Sequence, residues 1–75
     1  MEEVVLITVP SEEVARTIAK ALVEERLSAC VNIVPGLTSI YRWQGEVVED
    51  KELLLLVKTT THAFPKLKER DKALH

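Results

Sequence analysis

An α+β fold with its elements in the order β-α-β-β-α is predicted, and three observations carry the prediction. A short β-branched run opens the chain, Val4-Val5-Leu6-Ile7-Thr8-Val9, and stops at Pro10. An amphipathic helical pattern follows directly. Two long apolar stretches then flank a Gln44-Gly45 pair, which reads as the turn of a long hairpin.

Taken in order, Val4 to Val9 is too short and too branched for a helix and reads as a buried strand. Ser11 is a good N-cap, and Glu12 and Glu13 place negative charge at the positive end of the helix dipole. Val14, Ile18 and Leu22, with Ala15, Ala19 and Ala21, make one apolar stripe, while Arg16, Lys20 and Glu24 face away. This helix is expected to run to about Arg26. Leu27 to Val34 is the second strand, broken or bent at Pro35-Gly36. Leu37 to Trp43 then alternates, with Leu37, Ser39, Tyr41 and Trp43 on one face. Glu46 to Glu49 returns from the turn. Leu53 to Thr60 reads as a strand buried on both faces for most of its length. Thr61 is placed to cap a final helix that tolerates Pro65 in its first turn and carries Phe64, Leu67 and Leu74 on one side.

A ferredoxin-like domain is β-α-β-β-α-β. The 75 residues give that order without the last strand, so one sheet edge is expected to be left unpaired unless another segment or subunit covers it. The whole chain, 1–75, is read as one incomplete domain.

Size and composition narrow the function. A chain of 75 residues with a single cysteine has a small core and no internal disulfide or Cys-x-x-Cys knuckle, so association with other chains is the expected source of stability. The net charge of −2 argues against nucleic acid as a partner. The acidic Met1-Glu2-Glu3 start argues against a secretory leader, and the longest apolar run, Leu53 to Val57, is far too short for a membrane span. A soluble cytoplasmic protein is expected. Two glycines leave no phosphate loop, and no nucleophile-base pair stands out, so an enzyme is not expected and no catalytic residue is assigned.

Several motifs together resemble the CutA family of divalent-cation tolerance proteins. They are Thr8-Val9-Pro10, Ala15-x-x-Ile18-Ala19-x-x-Leu22-Val23, Ala29-Cys30-Val31-Asn32-Ile33-Val34-Pro35-Gly36, Ser39-x-Tyr41-x-Trp43-x-Gly45, Glu52 and Lys58-Thr59. Their order and spacing hold over nearly the whole chain. The resemblance implies a ferredoxin-like subunit in a tight homotrimer, with divalent metal, copper above all, as the associated ligand and no required cofactor. It also implies a further strand and helix, before which this chain is truncated. Architecturally the family is similar to the PII-like signalling trimers. A regulatory scaffold binding a small anion or a protein partner between subunits is therefore the alternative function.

The chain departs from the family pattern at two internal positions. Ser28 stands where a small apolar residue is usual. Asp71 falls on the stripe Phe64, Leu67, 71, Leu74, where the pattern is apolar, and a charge buried there without a partner is costly. Together with the truncation, Asp71 suggests an altered chain with weakened subunit contacts.

The candidate metal ligands are His75 and Cys30. His75 matches a family histidine, and imidazole suits copper or zinc. It is four residues from Asp71, a spacing that can chelate on one helix face, although a solvated terminal histidine is the plainer reading. Two further ligand positions known in some family members are Leu74 and Ile7 here. Cys30 reads as a small buried hydrophobe or a thiolate ligand. His62 reads as a surface residue. Tyr41 and Trp43 are the candidate interface residues, since a small core leaves large aromatics to bury against another chain. Lys58-Thr59, followed by Thr60 and Thr61 at a helix start, could hold an anion or simply cap the helix. Glu52 could pair with Lys58 or Arg42.

Overall fold

The computed structural model describes residues 2–74. Five elements follow in the expected order: β1 (Glu2–Val9), α1 (Glu12–Glu24), β2 (Cys30–Trp43), β3 (Glu46–Thr60) and α2 (Phe64–Leu74). The sheet is antiparallel with strand order β1-β3-β2, so β3 lies in the centre and β1 pairs on one side only among the described residues. This is the ferredoxin-like arrangement, with the unpaired edge falling on β1 as the order of elements implied.

Helix α1 starts where Ser11 Oγ accepts the Val14 N–H at 3.2 Å. Its buried residues are Ala15, Ile18, Ala19 and Leu22. Its end explains a difference from expectation. The helix stops at Glu24, and Arg26 takes a left-handed φ of 59°. The Arg26 N–H bonds back to Val23 and the Leu27 N–H to Leu22, which is a Schellman closure with arginine in the place glycine usually takes. The N–H groups of Leu27 and Ser28 both bond back to the Leu22 carbonyl and only that of Ala29 reaches β3, at Lys58, so β2 begins at Cys30 rather than Leu27.

Strand β3 is a single stretch of 15 residues rather than a returning arm plus a separate strand. The hairpin turn has φ of 49° at Gln44 and 80° at Gly45, the pair of positive values that a two-residue turn needs to match strand twist. Pro35 and Gly36 do not break β2. They form a bulge opposite Leu53, between the pairs Val34↔Leu54 and Leu37↔Glu52, with Gly36 at φ 81°.

The core lies between the helices and one face of the sheet. Ile7, Val9, Leu55 and Val57 from the strands meet Ala15, Ile18 and Leu22 from α1 and Leu67 from α2. Salt bridging fastens α2 to the end of α1, with Arg70 Nε 2.9 and 3.0 Å from the two carboxylate oxygens of Glu25. Phe64 does not join the core; it is half-buried beside Glu3, Val4 and Pro65.

Among the described residues no helix lies over the other face of the sheet. The strands expected to be buried on both sides are therefore buried on one. Val4 and Leu6 are 61% and 63% exposed, and Leu54 and Leu56 are half-buried. A βαββα order supplies only two helices, and both pack on the same side.

Candidate functional site: the open sheet face and its hairpin

Register and alternation define what the open face displays. Val4, Lys58 and Cys30 form one row across the three strands, Leu6, Leu56 and Asn32 the next, and Thr8, Leu54 and Val34 the third. Beyond the bulge the same face continues through Leu37, Tyr41, Val48 and Trp43 along the hairpin. Trp43 is 62% and Tyr41 41% exposed, so neither packs into the core of its own chain. The opposite side of the hairpin carries Ile40 and Val47, also open to solvent. The sequence singled out the two aromatics; it did not single out the apolar strip that joins them to β1.

Tyr41 Oη donates a hydrogen bond to Asp50 Oδ2 across the hairpin. That bond raises the phenol above its ordinary value of 10.0, with smaller contributions from partial desolvation and from the charges of Asp50 and Glu52. The bond holds the neutral phenol, so whatever it contributes to hairpin stability is present at neutral pH and is lost as pH rises through the raised value. Tyr41 is the single tyrosine, which makes a phenolate absorbance titration specific to it. Asp50→Asn is expected to bring the midpoint back toward the ordinary value. An unchanged midpoint would mean that Asp50 does not hold the phenol in solution.

Cys30 is half-buried at the start of β2, facing the open side directly across from Lys58 and away from the core. The reading of Cys30 as a buried core hydrophobe is corrected accordingly. His75 lies outside the described residues. His62 is exposed in the turn before α2, and Asp71 is half-buried on α2 with Oδ1 inaccessible and without a hydrogen-bond partner. Among the described residues no three His, Cys, Asp or Glu side chains come together in a metal-binding group.

Ser28 and Thr59 are the polar residues whose role sequence reasoning missed. Ser28 Oγ lies 2.8 Å from the Cys30 carbonyl and 2.7 Å from that of Lys58, shares its proton between them, and accepts the Cys30 N–H at 3.3 Å. Thr59 Oγ1 donates to the Leu27 carbonyl at 2.6 Å. Together they latch the end of β3 to the turn after α1. The hydroxyl of Thr59 is thus committed to backbone. At the start of α2 the Thr60 hydroxyl accepts the Ala63 N–H, at 3.1 Å. Above this latch a cleft of about 410 Å³ is lined by Glu2, Arg26, Ser28, Ala29, Lys58 and Ala63, among others.

The family described as CutA1 divalent ion tolerance protein matches residues 3–75 of this chain. The chain belongs to the CutA family. It is 96% identical over its full length to the divalent-cation tolerance protein CutA of Thermus thermophilus, of which it spans 73%. It is 48% identical to mouse Protein CutA over 92% of this chain, but spans only 39% of that protein. The solved Thermus thermophilus structure superposes with a TM-score of 0.96, covering all of this chain and 73% of that one. The CutA structure from Archaeoglobus fulgidus, named as a periplasmic divalent cation tolerance protein, is 40% identical with a TM-score of 0.95 and covers all of this chain and 72% of that one. Among the described residues no helix is long and apolar enough to cross a membrane.

Proposed function

We propose that the chain is a subunit of a cytoplasmic homotrimer that contributes to divalent-cation tolerance by binding metal, copper above all, and not by catalysis. The carrying observation is the open sheet face. An apolar strip from Val4 and Leu6 through Val34 to Tyr41 and Trp43 stands in water on a small chain. Large apolar side chains gathered in water on one face mark association, and exposed tryptophan and tyrosine are the residues on which such interfaces most depend. Cys30 lies on the same face, where association would cover it. Cys30 and His75 are the proposed ligands, supplying thiolate and imidazole donors suited to copper. For the compartment, cell fractionation tests the cytoplasmic reading, and recovery of the protein in the periplasmic fraction, as the name of the Archaeoglobus relative would have it, would overturn that part of the proposal.

The direct test is solution mass. The chain is expected to sediment at three times its 8.5 kDa mass. Leu6→Lys with Trp43→Ser is expected to sediment as a monomer with its helical circular dichroism retained. A monomeric starting chain would remove the trimer from the proposal.

A second reading has its own support. The cleft beside Arg26 and Lys58 carries two cations against the one carboxylate of Glu2, an excess that favours a small anion and hence a PII-like regulatory role. Thermal shift separates the two. Copper raising the melting temperature, and losing that effect in Cys30→Ser with His75→Ala, supports the metal reading. A rise with nucleotides alone supports the regulatory one.

A further inference from the structure

Resting on the anion reading of the cleft beside Arg26 and Lys58, we propose that its ligand is a small organic monoanion, a carboxylate on an apolar body, and not a nucleotide. The volume of about 410 Å³ is within the range of small-molecule sites, about 300–1,000 Å³. The last turn of α1, the turn through Ser28 and Ala29, the end of β3 and Ala63 before α2 form its walls, and Glu2 is the one residue of β1 that lines it.

Charge sets the head group. Arg26 and Lys58 form no ion pair among the described residues, and two cations against the carboxylate of Glu2 leave a net +1. A monoanion balances that charge, whereas the several charges of a nucleoside triphosphate exceed it. A guanidinium presents paired donors that match a carboxylate. Arg26 also holds a φ of 59°, which glycine adopts freely and a residue with a Cβ does not. Strain of this kind collects at binding sites. Hydrogen bonding then excludes sugars. Ser28 Oγ shares its proton between two backbone carbonyls and Thr59 Oγ1 donates to a third, so of the hydroxyls lining the cleft only that of Thr60 keeps a proton for a ligand. The rest of the lining sets the body. Val23, 42% exposed on the last turn of α1, joins Leu27 and Ala63 in an apolar wall.

The test titrates benzoate, benzamide, inorganic phosphate and ATP into the 75-residue chain, with nuclear magnetic resonance following the amides of 26–29 and 58–63. Benzoate is expected to shift them and to bind about tenfold or more tightly than benzamide, which has the body without the charge, and than phosphate, which has the charge without the body. Arg26→Gly is expected to weaken benzoate by about tenfold or more while the melting temperature holds or rises, since glycine suits the φ at that position. Arg26→Gln, which keeps the Cβ and loses the charge, is expected to weaken it alike. Benzamide binding as well as benzoate, or benzoate binding unchanged in both variants, overturns the proposal. Phosphate or ATP binding more tightly than benzoate overturns the choice of ligand and leaves the anion reading standing. Binding by none of the three anions overturns both.

Discussion

Replacing Leu55 with alanine is expected to destabilise the chain by about 2–5 kcal/mol, as large-to-small changes in a packed core do. Leu55 is fully buried in the central strand, between Ile7 on β1 and Ile33 on β2. It faces the helices, so the space left by its removal opens in the middle of the core and no solvent-exposed chain end can collapse into it. Domains of this size are stable by roughly 4–11 kcal/mol, so the loss is a large part of the total. Val47→Ala is the comparison: Val47 is 70% exposed near the hairpin tip and is expected to cost about 0.5 kcal/mol or less. Denaturant titration of both variants followed by circular dichroism measures the difference. Equal costs would mean that the core does not sit between α1 and β3.

Asp71→Leu is expected to act in the opposite direction. Asp71 Oδ1 is inaccessible to water and has no hydrogen-bond partner. A buried acceptor in that condition costs about 1–3 kcal/mol, which an apolar side chain does not incur. The neighbours along the same face, Leu67 and Leu74, belong to or pack against the core. A leucine at 71 therefore continues an apolar stripe already in place. Better helix propensity alone accounts for about 0.5 kcal/mol of any gain. The denaturation midpoint should therefore rise by more than propensity explains. A gain no larger than that would mean that the Asp71 carboxylate finds water or a partner in solution.

Local signals carried most of the fold. Ser11, the alanine-rich stripe of α1 and the Gln44-Gly45 turn each act within a few residues, and each was placed correctly from the chain alone. Asp71 was legible for the same reason, since helical spacing from Leu67 sets its face. What local pattern did not convey was anything decided by tertiary arrangement. Leu27 to Ala29 look strand-like, yet their backbone closes α1 and meets β3 through Ser28 and Thr59. The leucine run at 53 to 56 looks buried on both sides, but the number of helices, not hydropathy, determines how many faces are covered. Of the two readings of Cys30, buried hydrophobe or ligand, the first missed its face, because alternation fixes which neighbours share that face without saying which face the helices take. The interface candidates Tyr41 and Trp43 were legible as large aromatics on a small protein. Their continuity with Val4 and Leu6 required the register.

The bulge at Pro35-Gly36 works as a parity switch. Before it, even-numbered residues of β2 look toward the open side; after it, odd-numbered ones do. Side-chain period is two, so one surplus residue inverts every position that follows. A chain lacking that single residue but keeping the same hairpin would still set Tyr41 opposite Val48 on the open side, because β3 carries no bulge, but would turn Cys30, Asn32 and Val34 to the helix side and Val31 and Ile33 to the other. Which residues of the first half of β2 reach the core, and which share the open face with the aromatic rings, thus depends on a count of residues in one strand, and only weakly on what those residues are.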